Sequence, residues 1–380
     1  MTASSIISDQ NIIALGAILF GLAWLGFWID TTPLGKKTSG VIWVLLVGMV
    51  LSNFKLIPFS SPTYDFASGT LVPLAIPLLL FKADLRKIFR ESGPVMLTFA
   101  IASAATVTGA MLGYFLLDLG EIGPKVAGVY TGGWVGGAVN FLAVSQAVEM
   151  TPEEFSVSLS ASAMVSNIAL ALLIAIPSIG WLARRLPAHE PNETAEQAAD
   201  GDGHQGASTL KLTHVTGAIA LSFAICAVAG WLGEWFSLPQ YNILFITILT
   251  IIIANLIPKT MHNLEGDFDL GMLFMYVFFA AVGAGTDANF FASSALTLFF
   301  YGMFIIVVHL LIVLFAAKLL KVDIAEAIVA SAAALVGPAV TAAIATSKGW
   351  RTLVTPGIMC GIFGYVIGTF IGVGVTAILN

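Results

Sequence analysis

The residues of this chain that could bind a polar ligand cluster in two short runs rich in glycine and proline. The first is Thr-Gly-Gly-Trp-Val-Gly-Gly-Ala-Val-Asn at 131–140, and the second is Val-Gly-Pro-Ala-Val-Thr at 336–341. Four of the six residues at 135–140 recur at 336–341. Each glycine in a helix costs about 1 kcal/mol relative to alanine, so we expect a broken helix in each run. A break exposes N–H groups that favour an anion and carbonyls that favour a cation.

The candidate substrate- and ion-binding residues lie at these breaks or are polar side chains within apolar sequence. At the breaks they are Thr131, Gly132, Gly133, Gly136, Gly137, Asn140, Gly337, Pro338 and Thr341. Elsewhere they are Asp65, Ser166, Asn167, Asp267 and His309. Asn140 and Thr341 stand at matching places in the aligned runs, and their oxygens suit Na⁺ or a polar substrate group. An interhelical hydrogen bond is the alternative for both.

The polar residues outside the breaks have competing interpretations. Ser166 and Asn167 lie deep in an apolar run, where bonding between helices is the alternative to ligand binding. His309 is an intramembrane ionisable group and therefore a functional candidate, although a neutral histidine bonded to a hydroxyl would look the same. Asp65 and Asp267 begin predicted helices, where a solvated carboxylate is the default unless a water-filled cavity connects it to the site.

The composition indicates an all-α polytopic membrane protein. Hydrophobic residues make up 58% of the chain, charged residues only 10%, and the mean hydropathy is +0.95, whereas soluble domains carry about 25% charged residues. Residues 95–117, 157–183, 288–317 and 352–380 contain no Asp, Glu, Lys or Arg, and each exceeds the roughly 20 residues that span a bilayer. The chain has no HExxH or Walker A motif, so we expect neither an enzyme nor a bound cofactor.

The apolar segments predict twelve helical elements in two halves. They are 11–29, 40–59, 66–82, 94–117, 123–149, 155–183, 211–236, 241–258, 268–285, 291–318, 323–347 and 354–378. A hydrophilic stretch at 187–210 reads as a flexible cytoplasmic linker between repeat 1 (1–186, broken element 121–154) and repeat 2 (211–380, broken element 321–351). Duplication is also indicated by Trp-Leu-Gly at 24–26 and 231–233 and by Asp-Phe at 65–66 and 267–268.

The distribution of Lys and Arg predicts that the halves are inverted. If 121–154 and 321–351 are re-entrant, entering and leaving on one side, fourteen basic residues are cytoplasmic and only Lys55 and Lys125 are outside, as the positive-inside rule requires. If both elements cross, the split is even. The sequence therefore predicts about ten transmembrane helices plus two broken elements, with discontinuous crossing helices as the alternative.

The two breaks, together with Ser-Lys-Gly-Trp-Arg at 347–351, Tyr64-Asp65 and 73–80, resemble the domain of unknown function 819 family of YjcL-like bacterial membrane proteins. The resemblance covers nearly the whole chain. It implies membership of the cation:proton antiporter and anion transporter superfamily, with core and scaffold domains, elevator-like movement and a homodimer. The acidic pair of that superfamily has no matching position in these breaks, so proton antiport does not follow.

These observations predict a secondary active transporter of the bacterial inner membrane. The preferred function is Na⁺-coupled symport of a small organic anion, with Asn140 and Thr341 as Na⁺ ligands. The alternatives are a proton-coupled transporter of amino acids or small peptides and, less favoured, a channel, which would need a continuous polar path. The expected partners are the substrate, the lipid bilayer and a second copy of the chain; no nucleic acid is expected.

Overall fold

The computed structural model describes residues 5–33, 40–178, 180, 186, 187 and 211–380, and the regular elements within these ranges are all helical. The predicted linker at 187–210 lies outside the described residues except for Pro187. In the first half the helices are α1 (Ile12–Thr31), α2 (Gly40–Asn53), α3 (Pro62–Leu80, with a π-helical turn at Ala67–Leu71), α4 (Leu85–Ser92), α5 (Val95–Leu116), α6 (Gly123–Ala147) and α7 (Pro152–Ala175).

The described helices of the second half follow a similar order. They are α8 (Leu212–Trp235), α9 (Asn242–Leu256), the short α10 (Pro258–His262), α11 (Asp267–Ala284), α12 (Ala288–Leu320), α13 (Ile324–Leu335), α14 (Pro338–Ser347) and α15 (Val354–Leu379). The broken element of the first half is α6, and that of the second half is the pair α13–α14. The first lies between the long apolar helices α5 and α7, and the second lies between α12 and α15.

The helices are those of a multi-pass membrane protein, as the composition predicted. Eight helices in the described residues are long and apolar enough to cross a bilayer, and α2, α9 and α13 are shorter apolar helices. Large apolar side chains also cover the outside of the molecule: Trp24, Phe115 and Phe315 are each about 70% exposed. Such a surface is stable against lipid and would aggregate in water.

Helix α6 breaks at Gly136 and folds back on itself. Gly136 has φ −131° and ψ 16°, and Gly137 has φ 73°, a left-handed conformation that only glycine adopts without strain. A Cβ atom at Gly133 would lie 2.5 Å from the ring of Phe141, so the arms 123–135 and 138–147 lie side by side. Lys125, near the start, donates to the carbonyl oxygen of Glu149, beyond the end, at 2.8 Å.

The break between α13 and α14 has nearly the same backbone conformation. Val336 has φ −129° and ψ −1°, and Gly337 has φ 82°. Val329 before the break and Thr341 after it both lie against Gly357 of α15, so these two helices also lie side by side. The two left-handed glycines, Gly137 and Gly337, are 200 residues apart, whereas the matching sequence runs 135–140 and 336–341 are offset by 201 residues. Asn140 is therefore third and Thr341 fourth after the left-handed glycine, and the two are not at equivalent positions.

The helices form two bundles, each drawn from both halves of the chain. We call α4–α7 with α12–α15 the hairpin bundle, and α1–α3 with α8–α11 the flanking bundle. Contacts within each bundle are extensive, and contacts between them are few. The densest packing is between α6 and α15, where a Cβ atom at Gly364 would overlap the carbonyl oxygen of Val135 and one at Gly368 would lie 2.9 Å from that of Gly132.

Candidate functional site

A central cavity of about 470 Å³ lies between the two bundles at the helix breaks. The first break contributes Gly133, Trp134, Gly137 and Ala138, and the second contributes Leu335, Val336 and Val340. The volume falls within the roughly 300–1,000 Å³ typical of small-ligand pockets. Two predicted site residues, Gly133 and Gly137, therefore line the same cavity as the second break.

The helix ends at this cavity carry opposite partial charges. The arm beginning at Ala138 and helix α14 start here, and the first N–H groups of a helix have no partner within it. The arm 123–135 and helix α13 end here, which brings unpaired carbonyl groups to the same place. N–H groups attract anions and carbonyl oxygens attract cations.

Helix α7 supplies the polar wall of the central cavity. Ser162, Ser166 and Asn167 all line it. The indole Nε1 of Trp134 donates to Ser166 Oγ at 2.9 Å, which connects the first break to α7. The side chain of Asn167 makes no hydrogen bond to another described residue, so its amide is available to a ligand. The structure thus places Ser166 and Asn167 beside the two breaks.

The facing wall belongs to the flanking bundle and carries a carboxylate that the sequence analysis missed. Asp30, in the last turn of α1, lines the cavity with Val41, Ile42 and Leu45 of α2. Its Oδ1 accepts the backbone N–H of Gly40 at 2.6 Å, and its Oδ2 accepts the hydroxyl of Tyr276. No described Lys, Arg or His forms an ion pair with it. Asp30 follows the repeated Trp-Leu-Gly motif, the signal that could have identified it.

Asn140 faces α15 and not the central cavity. Its Nδ2 donates to Gly136 O at 2.5 Å and to Tyr365 O at 3.1 Å. Its Oδ1 accepts the backbone N–H of Thr369 at 2.9 Å and also the Thr369 hydroxyl. Both lone pairs of Oδ1 are therefore occupied. A cation could bind this oxygen only by replacing one of these bonds.

The two predicted threonines bond to their own helices. Thr131 Oγ1 donates to Ala127 O at 2.7 Å, and Thr341 Oγ1 donates to Gly337 O at 2.7 Å. Both residues are fully buried, and neither lines the central cavity. Gly132 and Gly136 pack against α15.

A second, lateral cavity of about 620 Å³ lies between the bundles beside α14. Pro338 and Tyr365 line it from the hairpin bundle, and Lys82 and Asp267 from the flanking bundle. The buried carboxylate of Asp267 lies 2.9 Å from Lys82 Nζ. Asp267 therefore reaches a cavity, but it does so with a basic partner and away from the central cavity.

The remaining three candidates, Gly337 at the second break, Asp65 and His309, line neither cavity. Asp65 is exposed in the first turn of α3. His309 is fully buried among α5, α12 and α13, with Nδ1 2.9 Å from Thr106 Oγ1 and Nε2 3.1 Å from Ser331 Oγ. Both ring nitrogens of His309 are thus hydrogen-bonded to hydroxyls. This matches the alternative interpretation, in which the histidine bonds to a hydroxyl and binds no ligand.

Comparison with known proteins assigns the family. The family model described as "Protein of unknown function (DUF819)" matches residues 17–380. The chain is 34% identical over 362 residues to a protein of Bacillus subtilis (strain 168) named "Uncharacterized membrane protein YjcL", and the match covers 89% of each chain. The breaks, both cavities and the carboxylates described above all lie within the matched residues. This chain therefore belongs to the DUF819 family and is a multi-pass membrane protein.

Proposed function

We propose that the protein is a secondary active transporter of the bacterial inner membrane that moves a small organic anion. The observation that carries this proposal is that two helix breaks of nearly the same conformation face one cavity between two helical bundles. Broken helices at membrane depth are tolerated where they line a cavity, and paired breaks in the two halves of a chain indicate a transporter's binding site.

The two broken elements are re-entrant hairpins that enter the membrane from opposite sides. The contact between Lys125 and Glu149 supports this for the first, because it joins the beginning and end of the element at one end of the molecule. For the second, the support is the packing of Val329 and Thr341 on the same glycine of α15. With re-entrant hairpins each half crosses five times, which inverts the second half relative to the first.

The hairpin bundle moves relative to the flanking bundle in an elevator-like step. Three features support this: contacts between the bundles are sparse, both cavities lie between them, and a cluster of aromatic rings closes the interface elsewhere. Phe155 of α7 packs against Phe278 and Phe279 of α11 with ring centroids 5.5 and 6.4 Å apart. These apolar contacts can separate without leaving a buried polar group unpaired. A homodimer, which the family resemblance implies, is also part of the proposal.

The substrate is an anion held at the start of α14 and of the arm beginning at Ala138, where free N–H groups meet the cavity. Na⁺ drives its uptake. For the Na⁺ site the proposal keeps Thr341, whose hydroxyl oxygen accepts no hydrogen bond from another described residue, together with carbonyl oxygens at the ends of α13 and the arm 123–135. Asn140 would contribute only if Na⁺ replaced Thr369 on its oxygen; otherwise it positions α15.

Proteoliposomes with purified protein test the proposal. We expect at least one compound from a panel of small carboxylates to accumulate against its own gradient when Na⁺ is supplied outside, and accumulation to stop when the Na⁺ gradient is removed. Accumulation driven by a pH gradient in the absence of Na⁺ would favour the proton-coupled alternative, for which the cavity-lining carboxylates are Asp30 in the central cavity and Glu265, Asp267 and Asp269 in the lateral cavity. Flux that only equilibrates the compound would indicate a channel.

A further inference from the structure

The carboxylate of Asp30 is the acidic group of the central cavity, and its position is unusual. It lies in the last turn of α1, where the partial charge of the helix end is negative and a carboxylate is disfavoured. No described basic side chain neutralises it. A carboxylate that faces a cavity under these conditions is a site for a cation.

The surrounding residues hold this carboxylate in one orientation. The N–H of Gly40 and the hydroxyl of Tyr276 each occupy one oxygen, which leaves further lone pairs on both oxygens. Tyr276 reaches Asp30 because Gly26, one turn earlier, has no side chain: a Cβ atom there would lie 2.7 Å from the tyrosine ring. Phe27 stacks on the same ring at 4.2 Å. The orientation of Asp30 is therefore fixed by packing as well as by hydrogen bonds.

The central cavity is consequently polarised between its two walls. The hairpin bundle presents the N–H groups at the start of α14 and of the arm beginning at Ala138. The flanking bundle presents Asp30. A ligand that carries a negative group at one end and a positive group at the other matches both walls.

We propose that Asp30 binds the amino group of the substrate, and that the substrate is an amino-carboxylate, either a free amino acid or a short peptide, whose carboxylate lies at the helix breaks. This inference rests on the proposed function and narrows its substrate class. Because Asp30 belongs to the flanking bundle, the amino group contacts it only while the hairpin bundle is in the position described here.

Substitution of Asp30 by Asn tests this assignment without removing the cap of α2. Asparagine keeps one oxygen that can accept the N–H of Gly40 and loses the negative charge. Its NH₂ group takes the place of the oxygen that accepts the Tyr276 hydroxyl, and it can donate to that hydroxyl instead. The control is Asp118→Asn: Asp118 also accepts a backbone N–H, from Gly120 at 3.0 Å, but lines neither cavity. Asp118→Asn should bind all ligands as the wild type does.

The measurement is the ligand-induced shift in melting temperature of the detergent-purified protein, titrated with matched pairs of compounds. The pairs are L-glutamate with glutarate, L-alanine with propionate, and a dipeptide with its N-acetylated form. For wild type we expect at least one amine-bearing compound to bind about tenfold more tightly than its partner. In Asp30→Asn this preference should disappear, while the affinity for the partner compound stays the same.

Four outcomes would overturn the proposal. Unchanged amine preference in Asp30→Asn would leave Asp30 as a helix cap only. If Na⁺ added without substrate stabilises the wild type but not Asp30→Asn, the carboxylate binds the coupling ion and not the substrate. A wild-type protein that binds and transports only des-amino carboxylates would refute the amino-carboxylate assignment and leave the transporter proposal standing; no binding or transport of any compound would refute both. If Asp30→Asn does not fold, Tyr276→Phe applies the same test, with a several-fold loss expected for the amine-bearing compounds alone.

Discussion

At the scale of single residues, the polar side chains of the breaks divide into those that face the cavity and those that connect helices. Asn140 belongs to the second kind, because its amide bonds to both Tyr365 O and the N–H of Thr369. These two groups are one helical turn apart in α15, so Asn140 fixes the hairpin to that turn. Thr341 is equally buried, but its hydroxyl bonds only within its own element.

This difference predicts unequal effects of the two alanine variants on stability. Asn140→Ala leaves buried groups of Thr369 without their partner, at about 1–3 kcal/mol per orphaned group, whereas Thr341→Ala removes a single local bond. We expect a clearly lower melting temperature for Asn140→Ala and a small change for Thr341→Ala. If Thr341→Ala nevertheless removes the stabilisation of the protein by Na⁺, the Na⁺ ligand assignment is supported. Equal melting temperatures would show that Asn140 does not tie α6 to α15.

At the scale of elements, the decisive feature is the glycine contact between α6 and α15. A helix with a glycine at every fourth position can approach another backbone closely, as small-residue motifs in membranes do. Gly364 and Gly368 of α15 meet Val135 and Gly132 of α6 in this way. This close packing fixes the distance between α15 and the break in α6, and it therefore fixes the position of the cavity wall.

Two glycine-to-alanine variants of α15 distinguish the effect of close backbone packing on stability from the effect of helix propensity. Gly364→Ala would place a methyl group on the carbonyl oxygen of Val135, whereas a Cβ atom at Gly374 would meet no other atom within 4 Å. We expect Gly374→Ala to leave the protein as stable as the wild type or slightly more stable, since alanine is the better helix former. Gly364→Ala should lower the melting temperature and weaken ligand binding. Equal behaviour of the two variants would contradict the close packing at Gly364.

Local sequence predicts much of this architecture. The features that it does not predict depend on contacts between residues far apart in the chain. The breaks were predictable because Gly136, Gly137 and Pro338 disfavour a helix wherever they stand. The amphipathic α4 was missed because its apolar residues, such as Leu85 and Ile88, alternate with charges and form no long apolar run. Asp30 was missed because its importance comes from Tyr276, 246 residues away. Asn140 and Thr341 differ by one residue in their distance from the left-handed glycine of their break. The residue types of the two runs do not predict this difference, because it depends on the backbone angles of the breaks.

At the scale of the whole molecule, the charges at the two ends predict an orientation in the membrane. Lys125 and Glu154 form an ion pair at one end, whereas Lys82–Asp267 and Lys211–Glu265 lie at the end that the positive-inside rule assigns to the cytoplasm. The hairpins proposed above open at opposite ends.

Cysteine labelling of intact cells tests this orientation. In a background without Cys226 and Cys360, single cysteines at 149–154 should react with a membrane-impermeant maleimide, and cysteines at 348–351 should react only after permeabilisation. Labelling of both loops from the same side would contradict the inverted arrangement.

The proposed movement of the bundles predicts that a cross-link between them stops transport. Cysteines in place of Phe155 and Phe278, joined by a short bifunctional thiol reagent, connect α7 to α11 across the interface. A matched pair at Phe89 and Phe363, whose ring centroids are 5.1 Å apart, lies within the hairpin bundle. We expect uptake to be lost with the first pair and retained with the second. Retained uptake with both pairs cross-linked would mean that these helices do not separate during transport.

The glycine contact between α6 and α15 also determines when the protein can be completed during synthesis. The ribosome makes α6 more than 200 residues before α15, which at about 5–20 residues per second is a delay of roughly 10–40 seconds. During that interval the first hairpin is in the membrane without the backbone that later covers it. The nascent chain must therefore be shielded by the insertion machinery or by lipid headgroups until its last helix arrives. Shortening α15 should for this reason lead to degradation of the newly made chain and not to a folded protein that merely lacks activity.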